Sequence, residues 1–395
     1  MKEPQPLEAF ATSTDHVLLT RQARMIVSVI GLTALAALSL AGWIGVLLGS
    51  GRAWDLRPIA EDEPPPPDSA DWPSVAVLVP ARNEAAVLPA TLPALLAQDY
   101  PGAWRLILVD DRSSDGTAEV ARTCGARHVP GTEPPEGWVG KVWALEQAAR
   151  FAGETDYYLL TDADIRHSPG SLRRLVVESE AAGLALNSRL ALLRCLSPAE
   201  RLLIPPFVLF FNLLYPMRRV NDPRSRVAAA AGGCVLLRRD ALERAGGFAA
   251  IRDRVIDDVS LARTVKGTGA RIRLSVSRAD VVSLRAHDLG GVWRMVRRTA
   301  FTELRHSWAL LAVTIPLLLC LFPAPPILVV AGILAGSTTA VAVASAAWAL
   351  MAALYLPTTA YFGLRPAWTL TLPIAGVLYG AMTLDSAVRR RHPSW

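Results

Sequence analysis

Two long stretches without charge limit the folds open to this chain. Residues 25–51 contain no Asp, Glu, Lys or Arg, and residues 307–388 contain only Arg365 and Asp385. Nearly all other charged residues lie between Arg52 and Arg305 or at the two chain ends. About 20 apolar residues are enough for a helix to span a hydrocarbon core. The pattern therefore predicts a charged globular domain between apolar membrane segments, and it argues against a purely soluble protein.

The first apolar stretch predicts one transmembrane helix over residues 25–48. Its 24 residues are uncharged and follow a polar tail, residues 1–24. A cleaved signal peptide is the alternative, but the apolar run is long and no clear small-residue cleavage site precedes Arg52. Residues 49–72, with four consecutive prolines at 64–67, form a predicted Pro-rich linker to the globular domain.

The second apolar stretch, residues 307–388, predicts about three further transmembrane helices. Prolines at 323, 325 and 326 interrupt it, and the turn at 363–366 interrupts it again. A soluble hydrophobic core is the alternative, but core helices need a polar outer face and these stretches have none. The simplest division is 308–323, 327–356 and 367–387. The middle segment is long, so it is either one tilted helix or two pieces.

The distribution of arginine predicts a multi-pass protein of the cell inner membrane whose globular domain is cytoplasmic. One span before the domain and three after it place both termini on the opposite side. That arrangement conflicts with the basic tail, residues 389–395, whereas an even number of C-terminal spans removes the conflict. The formal net charge of +6 is explained by membrane-flanking and phosphate-facing residues. It gives no reason to expect a nucleic-acid partner.

Residues 73–306 predict an α/β domain with a mostly parallel sheet. Short apolar runs at 74–79, 105–109 and 157–160 are typical of buried strands, and helical patterns of 10–15 residues separate them. Ligands bind at the carboxyl ends of strands in such sheets. Polar residues follow each run there: residues 82–84, 110–111 and 162–164. Aspartate also caps turns and helices, but three such clusters favour a binding site.

Asp162 and Asp164 are candidate metal ligands. They are separated by one residue at the predicted mouth of a strand, where alternate side chains point the same way. Two carboxylates suit Mg²⁺ or Mn²⁺, which complete their shells with water and substrate phosphates. A cation held there would neutralise a diphosphate leaving group.

Three further groups each have a functional and a simpler interpretation. Asp257 and Asp258 begin a predicted helix, where they supply either a general base or an acidic first turn that complements the helix dipole. The Gly232–Gly233 pair permits close approach to a ligand, or merely a tight turn. Lys141 meets a phosphate, or is a solvated lysine at a helix start.

Six strings together resemble the family 2 glycosyltransferases, which have the GT-A nucleotide-sugar-binding fold. They occur in the family's order and cover roughly residues 73–270. The strings are VAVLVPARNEA (75–85), ILVDDRSSDGTAEVAR (107–122), GKVWALEQA (140–148), LLTDADI (159–165), AGGCVLLRRDALERAGGF (231–248) and DDVSLARTVK (257–266). The segment YPMRRVNDPRSR and the apolar ends are most similar to the membrane-bound hopene-associated glycosyltransferases.

The resemblance implies a role for each matching residue. Asp162 and Asp164 match the metal-binding DxD motif, with Asp164 the more direct ligand, and Asp258 matches the catalytic aspartate, preceded by Asp257. Contacts to the nucleotide-sugar donor, a UDP-sugar by default, are implied for Pro80, Glu84, Asp110, Asp111, Lys141, Asp162, Gly232 and Gly233. The resemblance implies an inverting, metal-dependent hexosyltransferase with a lipid acceptor. The similarity to the hopene-associated subgroup makes a hopanoid the candidate acceptor.

Two alternatives remain beside that function. One is a polyprenyl-phosphate glycosyltransferase, whose acceptor is a phosphate and needs no strong base. The other is a noncatalytic membrane scaffold that keeps the fold, although the intact Asp162, Asp164 and Asp258 argue against it. The QxxRW motif of processive family members is missing from residues 292–308, which favours transfer of a single sugar. The oligomeric state is left open.

Overall fold

The computed structural model describes residues 8–49, 51–56, 71–278 and 280–389, with side chains from residue 27 onward. Most of the predicted linker and the basic tail after Arg389 therefore lie outside the described residues. The first helix begins at Glu8, well before the apolar stretch that predicted it, so much of the predicted polar tail is helical.

Seven strands form one sheet at the centre of the globular domain. Their order is β3-β2-β1-β4-β7-β6-β8, and β7 alone runs antiparallel to its neighbours β4 and β6. Strands β5 and β9 form a separate antiparallel pair. The strands are β1 Val75–Ala81, β2 Trp104–Asp110, β3 Arg127–Pro130, β4 Tyr157–Leu160, β5 Ile165–His167, β6 Leu186–Leu190, β7 Val235–Arg238, β8 Ile272–Val276 and β9 Val281–Ser283. The predicted mostly parallel α/β sheet is confirmed.

Helices cover both faces of this sheet and make up the apolar ends of the chain. Two short 3-10 turns, Phe248–Ile251 and Pro366–Thr371, accompany them. The α-helices are α1 Glu8–Gly49, α2 Leu88–Leu96, α3 Thr117–Thr123, α4 Gly140–Ala152, α5 Ser171–Ala182, α6 Pro198–Leu214, α7 Met217–Asn221, α8 Arg239–Arg244, α9 Asp257–Gly267, α10 Leu289–Glu303, α11 Trp308–Leu321, α12 Ala324–Leu334, α13 Thr338–Tyr361 and α14 Leu372–Val388.

Strand β1 shows why the central strands read as continuous apolar runs. All seven of its residues are buried, because successive side chains enter cores on opposite faces of the sheet. Ala76 and Leu78 pack into one core, and Val75, Val77 and Val79 pack into the other. Burial on both faces leaves the strand ends as the places where polar groups reach solvent.

Three helical segments in the described part of the chain are long and apolar enough to cross a membrane: Val27–Gly49, Thr338–Tyr361 and Pro366–Val388. The number rises to four if α11 and α12, which meet at a bend of 54°, count as one span. The predicted segment 327–356 is two pieces rather than one tilted helix. Gly336, with a φ of +65°, lies in the break between α12 and α13, where an L-residue would be strained.

Helix α6 lies between the globular domain and the apolar helices. Val208 packs into the domain core, whereas Leu209 packs with Trp43 of α1 and Phe322, which follows α11. The Tyr379 hydroxyl of α14 donates a hydrogen bond of 2.8 Å to the Leu203 carbonyl. Helix α6 is therefore a buried helix at the junction between the globular domain and the apolar helices.

The end of α13 also enters the globular domain. Tyr361 is buried in the main domain core, and its hydroxyl donates a hydrogen bond of 3.3 Å to the Ser277 carbonyl. The apolar helices and the globular domain therefore share packed side chains rather than meeting through a flexible connection.

Candidate active site

One pocket opens at the carboxyl ends of β1 and β4, where the α/β pattern predicted a ligand site. Its walls come from the loop after β4, the turn before β7, the first turn of α4 and the start of α9. Six of the residues predicted from sequence line it: Pro80, Lys141, Asp162, Gly232, Asp257 and Asp258. The fold thus brings together groups that are up to 178 positions apart along the chain.

Lys141 is the cation of this pocket. Its Nζ lies 2.8 Å from Asp162 Oδ1 and 3.4 Å from Asp257 Oδ2. Burial alone would lower the pKa of Lys141, but the charges of Asp162 and Asp257 outweigh it and raise that pKa. The ammonium is therefore permanently charged near neutral pH, and it joins the predicted metal motif to the predicted catalytic pair.

Asp258 is held by backbone amides at the start of α9. Its Oδ2 accepts a hydrogen bond of 2.8 Å from the Gly232 N–H, and its Oδ1 accepts one of 2.7 Å from the Val259 N–H. Burial, followed by the neighbouring charge of Asp257, raises the pKa of Asp258 to about 7. A carboxylate whose pKa lies near neutral pH suits a general base.

Glycine at position 232 allows this close approach. A Cβ atom there would lie 3.2 Å from Lys141 Nζ and 3.4 Å from Asp258 Oδ2. Gly233 serves packing instead, because its Cβ would meet Ile165 Cδ1 at 3.1 Å. Gly233 is not among the residues that line the pocket.

Glu84 and Asp164 form a second cluster around Arg285. The guanidinium of Arg285 bonds to the Glu84 carboxylate through one terminal nitrogen, and its Nε lies 3.3 Å from Asp164 Oδ2. Ser283 Oγ donates to the same Asp164 oxygen at 2.8 Å. Burial raises the pKa of Glu84, and the charge of Arg285 partly offsets that rise.

Asp162 and Asp164 consequently have different partners. The argument from strand alternation does not apply to them, because β4 ends at Leu160, before either residue. Asp162 pairs with Lys141 inside the pocket, and Asp164 pairs with Arg285 and Ser283. The sequence predicts that the two side chains point the same way because both would lie on one strand. Neither residue lies on β4, so strand geometry does not set their directions.

Asp110 and Asp111 lie at the carboxyl end of β2, outside the pocket lining. The buried Asp111 carboxylate pairs with Arg82 at 3.3 Å and with Arg112 at 3.2 Å. Asp110 accepts a hydrogen bond of 3.0 Å from the Ser113 N–H. The structure therefore places both residues at the predicted edge of the sheet, while their contact with a nucleotide stays a prediction.

The described residues contain no group of three or more His, Cys, Asp or Glu side chains arranged to hold a metal ion. Asp162 and Asp164 offer two carboxylates, which is the number Mg²⁺ commonly takes from protein when substrate phosphates and water supply the rest. Each already faces a cationic side chain, so a metal ion would have to compete with that cation. The donor set fits a cation that binds together with a diphosphate.

The comparison with known proteins decides the family. A family model described as glycosyltransferase like family 2 matches residues 73–302, which is more than half of the chain. The chain belongs to this family. The match begins just before β1 and ends within α10, so it covers the sheet, the pocket and the Arg285 cluster.

Two relatives of this family 2 chain match it over shorter lengths. The 4,4'-diaponeurosporenoate glycosyltransferase of Staphylococcus haemolyticus (strain JCSC1435) is 34% identical over 110 residues, 27% of this chain. The cellulose synthase 1 catalytic subunit (UDP-forming) of Komagataeibacter xylinus is 26% identical over 219 residues, 52% of this chain. The match spans 28% of each relative's own length.

A solved structure is similar in fold to this family 2 chain. The mannosyltransferase PcManGT from Pyrobaculum calidifontis, solved with GDP-Man and Mn²⁺, superposes with a TM-score of 0.52. The match covers 89% of this chain and 99% of that one at 22% identity. This likeness supports the GT-A-like α/β fold.

Arg285 and Ser283 are the site residues that the sequence analysis missed. They lie on and just after β9, a strand of only three residues, which is too short to give a periodic signal. An arginine directly after an apolar run, in SLRAHD at 283–288, was the available sign. The pairing of β9 with β5 brings these residues to Asp164.

Proposed function

We propose that this protein is a membrane-bound inverting glycosyltransferase that moves a sugar from a nucleoside-diphosphate donor to a hydroxyl group of a lipid acceptor. One observation carries the proposal. Asp258, with a pKa raised to about 7, lines the same pocket as Asp162, and Lys141 pairs with both Asp162 and Asp257, the residue before Asp258. A base and a phosphate-binding motif in one pocket are the two parts that such a transfer needs.

In the proposed reaction, Asp258 takes the proton from the acceptor hydroxyl as its oxygen attacks the anomeric carbon. The bond from that carbon to the diphosphate oxygen breaks, and the nucleoside diphosphate leaves with the bonding electrons. Attack from the face opposite the leaving group inverts the anomeric centre. Lys141 lies beside both Asp162 and Asp257, and its positive charge favours the negative charge that develops on the departing diphosphate.

Mg²⁺ or Mn²⁺ is the proposed cofactor, held by Asp162 and Asp164. Bound there, the cation would supply charge neutralisation of the diphosphate. The donor is proposed to be a UDP-sugar, as the family resemblance implies, and a hexose is the proposed sugar. The Pyrobaculum mannosyltransferase contains GDP-Man and Mn²⁺, so this fold accommodates a nucleotide sugar together with a divalent cation.

The proposed lipid acceptor and the location in the cell inner membrane rest on the apolar helices and on α6. Exposed apolar side chains cover the three candidate spans, and such surfaces favour a bilayer. Helix α6 and helix α10 pack against α14 on one side and belong to the globular domain on the other. The site is therefore proposed to open beside the cytoplasmic membrane surface.

Replacing Asp258 with asparagine tests the hydroxyl-acceptor mechanism. We expect the rate of transfer to fall by about 100-fold or more, since positioned general bases contribute about 10²–10⁴, with little change in donor affinity. Asp253→Asn is the matched control, because Asp253 is an exposed aspartate shortly before α9. Near-normal transfer by Asp258→Asn would instead favour a phosphate acceptor such as a polyprenyl phosphate.

Two further measurements separate the remaining functions. A purified protein that neither transfers nor hydrolyses any nucleotide sugar with any divalent cation would favour the noncatalytic scaffold. Lipid analysis of a deletion strain tests the acceptor class. We expect a glycosylated lipid to disappear, and a missing glycosylated hopanoid would identify the acceptor, whereas an unchanged hopanoid profile would contradict the hopene-associated subgroup.

A further inference from the structure

Arg285 connects two parts of the site that belong to different loops. Glu84 follows β1, and Asp164 follows β4. The Arg285 guanidinium pairs with both carboxylates at once. Its side chain is 43% exposed, while the Glu84 and Asp164 side chains are only 13% and 11% exposed. The arginine therefore covers two nearly buried carboxylates from the solvent side.

The backbone on either side of Arg285 is fixed independently of these ion pairs. The Leu284 N–H donates a hydrogen bond of 3.0 Å to the Asp164 carbonyl. The His287 N–H donates one of 3.0 Å to Glu200 Oε1, at the start of α6. Because the backbone is anchored on both sides of Arg285, the fold itself places the guanidinium beside Asp164, and no ligand is needed to hold it there.

The charges of the site leave room for one more cation. Five carboxylates lie in the pocket and the Arg285 cluster: Glu84, Asp162, Asp164, Asp257 and Asp258. The paired cations described among them are Lys141 and Arg285. A divalent cation that approached Asp164 would meet the positive charge of Arg285 on the same oxygen, Oδ2. Cation and arginine cannot both pair closely with that atom without repelling each other.

We propose that Arg285 is a positioning residue that holds Asp164 and Glu84 in the donor-free protein and competes with the divalent cation for Asp164. The inference rests on the proposed function for the identity of the cation site. It predicts weak cation binding until a diphosphate adds negative charge. It also predicts that removing Arg285 changes donor KM more than kcat, because Glu84 then loses the group that orients it.

Direct cation binding tests this role without any turnover. Free Mn²⁺ is measured by electron paramagnetic resonance during titration of the purified full-length protein in detergent, with no donor present. We expect R285Q to bind Mn²⁺ about fivefold more tightly than wild type, the upper end of the range for one partly exposed ion pair. R285K keeps the positive charge, so its Mn²⁺ affinity should lie within about twofold of the wild-type affinity.

R238Q is the matched control. Arg238 is 41% exposed and also bridges two carboxylates, Glu180 and Asp240. It lies beside the first residue of β4, at the end of that strand away from the pocket. Its loss removes the same charge but should leave Mn²⁺ affinity unchanged. Thermal unfolding of each variant verifies that it is folded at the titration temperature.

The outcomes separate this inference from the proposed function. Equal or weaker Mn²⁺ binding by R285Q, or no Mn²⁺ binding by any form, would overturn the role of Arg285, whether or not the wild type transfers sugar. If R285Q binds Mn²⁺ more tightly than wild type but the wild type processes no nucleotide sugar, the competition at Asp164 is supported and the proposed function is overturned instead.

Discussion

Ionisation of Asp258 costs the donor-free protein stability, and this cost can be measured with Asp258→Asn. The pKa of this carboxyl rises from 3.8 to about 7 on folding. At about 1.4 kcal/mol for each tenfold change in proton affinity, charging Asp258 in the folded state costs about 4 kcal/mol relative to the unfolded chain. Solvent screening at the open pocket reduces this to about 2 kcal/mol.

The cost depends on pH in a defined direction. Below about pH 4, Asp258 is protonated in both states, so the wild type and the asparagine variant differ only in hydrogen bonding. Between pH 4 and 7 the unfolded chain ionises while the folded protein keeps its proton, so the wild type loses stability as pH rises. Above pH 7 the loss is complete and constant.

Thermal unfolding of the purified protein in EDTA, at pH 5 and pH 8, checks this reasoning. We expect the midpoint of Asp258→Asn minus that of wild type to grow by about 4 °C between the two pH values, which corresponds to about 1–2 kcal/mol for a domain of this size. For Asp253→Asn, an exposed control, the difference should not change with pH. A pH-independent difference for Asp258→Asn would refute the reasoning and leave Asp258 only as an acceptor for the Gly232 and Val259 amides.

Three further substitutions probe the same framework. Lys141→Met removes the cation shared by Asp162 and Asp257 and should destabilise the protein by about 2 kcal/mol at pH 8; an unchanged midpoint would contradict this. Burial alone would raise the pKa of Glu200, but backbone N–H donors outweigh it and lower that pKa to about 2. Glu200→Gln should therefore cost about 2 kcal/mol at pH 7 in denaturant unfolding, and the cost should shrink as pH falls below 4.5. Gly232→Ala places a Cβ against Lys141 and should reduce turnover at least about tenfold with a nearly normal midpoint; full activity would show that the pocket is not so tightly packed.

The parts of the fold set by local sequence were predictable. Strand β1 is apolar at every position because it is buried on both faces, and such a run is visible without knowledge of its neighbours. The pocket followed from the same logic, since Pro80 and Asp162 lie at the ends of adjacent parallel strands. Asp258 was expected in the site from the family resemblance, because an acidic first turn of a helix is by itself explained by the helix dipole.

Features that depend on distant pairing were not predictable. Arg285 reaches Glu84 through the pairing of the short strand β9 with β5, and three residues give no periodicity. The break between α12 and α13 lies within an apolar run, whose length left open one tilted helix or two pieces without placing the break. The directions of the Asp162 and Asp164 side chains depend on where β4 ends, and strand ends are set by hydrogen-bonding partners rather than by composition.

The burial of Tyr361 in the domain core has a consequence for how the chain matures during synthesis. Residues 73–302 match the family model, yet their core includes a side chain from the end of α13, which a ribosome makes some time after residue 302. Since proteins are made from the N-terminus at about 5–20 residues per second, the nascent domain waits several seconds for its last core residue. During that interval α11, α12 and α13 must be placed first, so completion of the domain core depends on when these apolar helices are made and packed.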